Sequence, residues 1–154
     1  MIFEIEIKSK EGFANPQGIH TAADIKGIGI KGIQSVNYIS VYRISADISL
    51  KQTELIAREL LSDKITEEFY IKQYASLNEK KIEKNSIEVW YKSGVTDTVS
   101  ESVVKAIRDL GIEEEVAVKT GKKYSLKGEI NFSKLEKIAT KLLANTLIQE
   151  YLIK

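Results

Sequence analysis

The sequence holds 154 residues, 43% hydrophobic and 29% charged, a balance that suits one or two small packed cores and excludes a disordered or fibrous chain. Its 23 basic and 22 acidic side chains leave a formal charge of +1, which supplies no broad field to hold nucleic acid. The absence of cysteine removes disulfides, thiolate metal sites and the thiol nucleophile of a cysteine-dependent glutaminase, and the single histidine, His20, cannot build a histidine metal cluster.

Sliding the chain against itself by 82 residues aligns Ile5–Lys72 with Ile87–Lys154 without a gap, with 18 identities over 68 positions. Chance would give roughly five. The chain therefore reads as repeat 1 over residues 1–72, a polar linker over 73–85 and repeat 2 over 86–154.

Each repeat opens on a strand, because Ile2–Ile7 alternates apolar with acidic residues and Ile87–Tyr91 is β-branched and aromatic. A helix follows, started by Asn15-Pro16 in the first repeat and by Asp97 in the second, and ended by Gly29 or Gly111. Val36 to Ile48 then alternates with period two, which predicts one long bent strand or two strands joined by a turn, with Thr120-Gly121 marking that turn in repeat 2. Ser49 with Gln52 forms a capping-box pattern, Asn131 stands at the equivalent position, and the second helix carries Ile56, Ala57, Leu60 and Leu61 against Ile138, Ala139, Leu142 and Leu143. A last strand closes each repeat. The order β-α-β-β-α-β, twice, predicts an α+β protein of two ferredoxin-like sandwiches packed as an intramolecular pseudo-dimer.

Gly27-Ile28-Gly29-Ile30-Lys31-Gly32 matches G-x-G-x-x-G, but it closes a helix instead of opening one, so it reads as a helix exit and not as a dinucleotide fingerprint. His20 reads as structural or solvent-facing, and Asp47 and Glu129 as carboxylates that favour a following helix N-terminus. Lys119, Lys122 and Lys123 around Gly121 read as a solvated hairpin tip. Segment 41–47 lacks the basic-glycine-aromatic stacking pattern of an RNA-recognition motif. No apolar run approaches the ~18 residues that span a bilayer, and the N-terminus does not resemble a signal peptide, so the expectation is a cytoplasmic protein without membrane or nucleic-acid partners.

Lys10-Glu11-Gly12-Phe13-Ala14-Asn15-Pro16-Gln17-Gly18 resembles the K-E-G-x-x-D-P-x-G signature that opens the PurS family, with Asn15 in place of aspartate. Lys141-Leu142-Leu143-Ala144-Asn145, followed by Ile148-Gln149-Glu150-Tyr151, is similar to that family's closing stretch. Repeat 2 keeps Gly94 and Asp97 but lacks the proline and the second glycine. The resemblance implies two PurS units fused head to tail, serving without catalysis in phosphoribosylformylglycinamidine synthase, the fourth step of de novo purine synthesis. In that family PurL uses ATP and magnesium to activate an amide oxygen, PurQ releases ammonia from glutamine, and PurS dimerises and bridges the two. The chain itself is then expected to bind no cofactor, and its own self-association is left open. Asn15, Pro16, Gln17 and Gly18 are the expected partner contacts, with Gly12, Gly29, Gly94, Asp97 and Gly111 as structural positions. A tandem ACT-like module binding a small effector near Gly12–Gly18 is the alternative.

Overall fold

A computed structural model describes all residues, Met1–Lys154. In chain order the elements are β1 (Ile2–Ser9), α1 (Pro16–Gly27), β2 (Ile33–Ala46), α2 (Leu50–Ile56), β3 (Glu67–Tyr74), β4 (Ser86–Tyr91), α3 (Thr98–Asp109), β5 (Val116–Gly128), α4 (Phe132–Ile138) and β6 (Gln149–Ile153). A π-helical turn extends α2 over Ala57–Leu61 and another extends α4 over Ala139–Leu143. The strands form one antiparallel sheet in the order β3-β1-β2-β5-β4-β6, and the architecture is α+β. No helix is long and apolar enough to cross a membrane.

β2 and β5 each run unbroken through the point where the alternation allowed a turn. Gly121 is buried within β5, and its φ is not positive, so Thr120-Gly121 makes no hairpin. The reason is local: neither Ile39-Ser40 nor Thr120-Gly121 supplies the paired left-handed residues of a two-residue hairpin turn.

That continuity redistributes the repeats. Unit 1 comprises Met1–Phe13, Ser40–Lys80 and Thr96–Gly121, whereas unit 2 comprises Ala14–Ile39, Lys81–Val95 and Lys122–Lys154. Each compact unit thus takes its outer strands and one helix from one repeat, and its remaining helix and a half-strand from the other. In unit 1, Phe3, Ile5, Ile44 and Ile56 of repeat 1 pack with Ile107 of α3 and Val118 of β5. In unit 2, Ile87, Val89, Leu126 and Ile138 of repeat 2 pack with Ile25 of α1 and Val36 of β2. Pairing follows the alternation, with Ile5 opposite both Tyr42 and Ile71, and Val89 opposite Tyr151.

The residues that alternate with the core in β1 carry charge. In unit 1, Glu4 is 2% exposed and accepts from Arg43, at 2.7 Å, and from Lys80 of the linker, at 3.0 Å. In unit 2, Lys123 is 1% exposed and its Nζ lies 2.8 Å from the Glu83 carboxylate, also of the linker. Lys123 is therefore no hairpin tip. Burial of an ammonium needs a compensating charge, and the linker provides it.

Tyr124 packs edge-on against Tyr38 in the unit 2 core, with ring centroids 5.4 Å apart. Burial, and then the neighbouring Tyr38, pushes the Tyr124 hydroxyl up to about 12. A phenol whose folded pKa exceeds its unfolded value of 10.0 contributes stability fully below that value and loses it as pH rises toward the folded one. Unfolding free energy measured between these two pH values is expected to fall with pH in the native sequence, and to fall less in Tyr124→Phe.

Candidate partner-contact site

The segment Lys10–Gly18 is where the chain leaves unit 1 and enters unit 2, between Phe13 and Ala14. Its residues divide into those that hold this passage and those that face solvent. Lys10 is tied by its N–H, which donates to Thr66 O at 2.8 Å, and by its Nζ, which donates to Lys64 O at 2.8 Å. The Phe13 N–H donates to Lys10 O across a turn in which Gly12 has φ +87°. That is the left-handed conformation glycine adopts at little cost.

Asn15 then caps α1. Its Oδ1 accepts from Gly18 N at 2.8 Å, while its Nδ2 donates to Tyr38 O at 2.9 Å and to Asn37 Oδ1 at 3.0 Å. One amide therefore clips the helix start to β2. Pro16 occupies the first turn, where its missing N–H has no bond to lose. Gly18 is buried, and a Cβ there would stand 2.2 Å from Val36 O and 2.6 Å from Asn15 Oδ1.

In unit 1, Asp97 repeats the clip for α3. Its Oδ1 accepts from Ser100 N at 3.0 Å, and its Oδ2 accepts from Thr120 Oγ1 at 2.7 Å and Thr120 N at 3.1 Å. Asp97 and Thr120 are the positional equivalents of Asn15 and Tyr38. The pairing explains the asparagine: Thr120 brings a hydroxyl donor to a carboxylate, whereas the Tyr38 carbonyl and Asn37 Oδ1 need a donor, which only the amide supplies. Asn15→Ala and Asp97→Ala are each expected to cost about 1–2 kcal/mol of stability in urea unfolding. Asn15→Asp is expected to destabilise as well, since it sets a carboxylate against two acceptor oxygens.

The remaining structural positions lie at chain reversals. Gly29 (φ +86°) and Gly111 (φ +99°) follow α1 and α3, and Gly94 (φ +85°) stands in the turn equivalent to that of Gly12. Asn15 to Gly18 are adjacent in unit 2, which also holds Gly29 and Gly94, whereas Gly12, Asp97 and Gly111 belong to unit 1. Pro16 and Gln17 are exposed. Two large apolar side chains are exposed as well, Phe13 in the turn and Ile19, 64% exposed, on α1. Ile19 stands about 120° around α1 from the buried Ile25, which shares its face of the helix with the buried Gly18. His20 is exposed, and no group of three His, Asp or Glu side chains is placed to hold a metal ion.

Solvent-facing Pro16 and Gln17 on a rigid, doubly anchored helix start suit a protein contact better than bond-making chemistry. The family model "PurS: Phosphoribosylformylglycinamidine (FGAM) synthase" matches residues 2–74 and again residues 84–154. The phosphoribosylformylglycinamidine synthase subunit PurS of Archaeoglobus fulgidus is 35% identical over 60 residues, covering 39% of this chain and 72% of that relative. The chain belongs to the PurS family and carries its unit twice.

Proposed function

We propose that this chain, as a subunit of phosphoribosylformylglycinamidine synthase in purine biosynthesis, is a non-catalytic assembly subunit that brings a PurL synthetase and a PurQ glutaminase together for transfer of glutamine-derived ammonia. The observation that carries the reading is the PurS match to both repeats. A tandem chain supplies as one molecule the pair of PurS units that a large subunit takes, and covalent linkage keeps the second unit at high effective concentration. ATP, magnesium and glutamine belong to the partner subunits, in the cytoplasm, and this chain binds none of them.

Pro16 and Gln17 are the contacting side chains of the signature in this reading, since Gly18 is buried and the Asn15 amide is fully used within unit 2. Asn15 and Gly18 act by holding them in place. Reconstitution tests it: glutamine-dependent formation of formylglycinamidine ribonucleotide by PurL and PurQ is expected to require this chain at one tandem molecule per PurL. Full activity without it, and no co-elution, would overturn the proposal. Gln17→Ala is expected to weaken co-elution while leaving the melting temperature unchanged, and unaltered co-elution would remove Gln17 from the contact.

A further inference from the structure

Unit 2 carries an open cavity of about 330 Å³ lined by Gly29, Ile30, Lys31, Ser133, Lys134 and Lys137. A second cavity, of about 440 Å³, shares Ile30 and Lys31 with it and adds Lys26. Both open at the helix exit Gly27–Gly32, whose glycine pattern the protein-contact reading leaves without a role.

The three lysines of the first cavity are not equivalent. Lys134 Nζ donates to Lys31 O at 2.8 Å and to Glu129 O at 2.9 Å, which fixes the ammonium against the loop after α1. A Cβ on Gly32 would lie 3.1 Å from that Nζ and 3.2 Å from Glu129 Oε2, so Gly32 keeps the space between the loop and these two side chains open. Lys31 and Lys137 are exposed, and neither ammonium has a protein partner. Ser133 and Lys137, four residues apart, share a face of α4.

Unit 1 acts as an internal control. At the positions of Lys31, Ser133, Lys134 and Lys137 it has Glu113, Lys51, Gln52 and Leu55, all within unit 1. The same local fold forms there without the ammonium cluster, so packing does not demand it. Unpaired like charges lining one cavity repel each other. An anionic guest reverses that cost.

We infer that this cavity of unit 2 binds the phosphate monoester of a small polyol or sugar, the phosphate taken by Lys31, Lys137 and the Ser133 hydroxyl, and the uncharged body lying along Ile30 and Gly29. The volume falls in the range of small-molecule sites. Size and charge disfavour a long polyanion, because the chain as a whole carries a net charge of only +1. The inference stands apart from the PurL and PurQ reading and would survive its failure.

Titration of the isotope-labelled full-length chain with glycerophosphate, followed by amide NMR, tests it, with glycerol and inorganic phosphate as controls. Saturable shifts are expected at Gly29, Lys31, Ser133 and Lys137 and not at Gly111–Glu114. The double variant Lys31→Ala/Lys137→Ala, which keeps both carbonyl bonds of Lys134, is expected to weaken binding about tenfold or more with an unchanged melting temperature. Binding of inorganic phosphate as tight as that of the ester would overturn the assignment. So would shifts spread over Lys119 and Lys122 and unaffected by the double variant. Loss of a salt-sensitive self-association in that variant, with no ester-induced shifts, would overturn it in favour of an acidic surface of a second copy.

Discussion

Replacing Glu4 with alanine is expected to destabilise the chain by about 3–5 kcal/mol, the cost of removing one member of a buried ion-pair cluster. The carboxylate is almost wholly covered, and two cations converge on it, Arg43 at 2.7 Å and Lys80 at 3.0 Å. Alanine removes the acceptor the two cations share. Lys80 then has reason to leave the sheet for water, so the linker from Ala75 to Lys80 is expected to become more sensitive to limited proteolysis. Glu6→Ala serves as the comparison, because its partner Lys72 is about a third exposed and water can replace the interaction. Its expected cost is about 1 kcal/mol or less. Urea unfolding of the three proteins, with slopes held equal, checks the ranking; equal midpoints for Glu4→Ala and Glu6→Ala would show that the buried cluster contributes nothing beyond a surface pair.

The second large effect is expected at Gly18. An added Cβ meets the Val36 carbonyl oxygen at 2.2 Å, and that oxygen belongs to the backbone of β2, so no side-chain rotation relieves the clash. The start of α1 must move off the strand, and the Asn15 clip to Tyr38 stretches with it. About 3 kcal/mol is the expected loss for Gly18→Ala, at the upper end of overpacking costs. Gln17→Ala, one residue away and exposed, is expected to change stability by less than about 0.5 kcal/mol. The pair separates two meanings of one motif. A signature residue can be needed because it touches a partner or because the backbone comes too close for anything but glycine, and only thermal or urea unfolding measured beside complex formation tells these apart.

Much of the local structure was legible in the letters. Asn15-Pro16 starts α1 with the expected cap, and Ser49 with Gln52 makes both bonds of the capping box, Gln52 N to Ser49 Oγ at 3.1 Å and Ser49 N to Gln52 Oε1 at 2.9 Å. The repeated α+β pattern was legible for the same reason, since cap chemistry and hydrophobic period act over a few residues. What was not legible depends on distant chain. Period two in Val36–Ile48 holds equally for a hairpin and for one long strand, and nothing local says which helix covers which strands. Lys123 looked solvated because its partner, Glu83, lies 40 residues away in a segment that reads as plain linker. The π-helical turns at Ala57 and Ala139 carry no composition signal of their own. At the candidate contact, Asn15 and Pro16 were visible as a helix start, whereas the burial of Gly18 follows from where β2 passes.

The interleaving of the repeats also governs the order of events on the ribosome. Unit 1 holds Met1–Phe13 and also Thr96–Gly121, so the first strand emerges long before the helix that completes its core has been synthesised. During that interval Phe3, Ile5 and Ile7 lack their partners Ile107 and Val118, and the nascent chain exposes an apolar sheet face. Ribosome-bound chains ending near Lys80 are therefore expected to engage chaperones or one another, and chains extended beyond Gly121 to be released from that state as unit 1 closes.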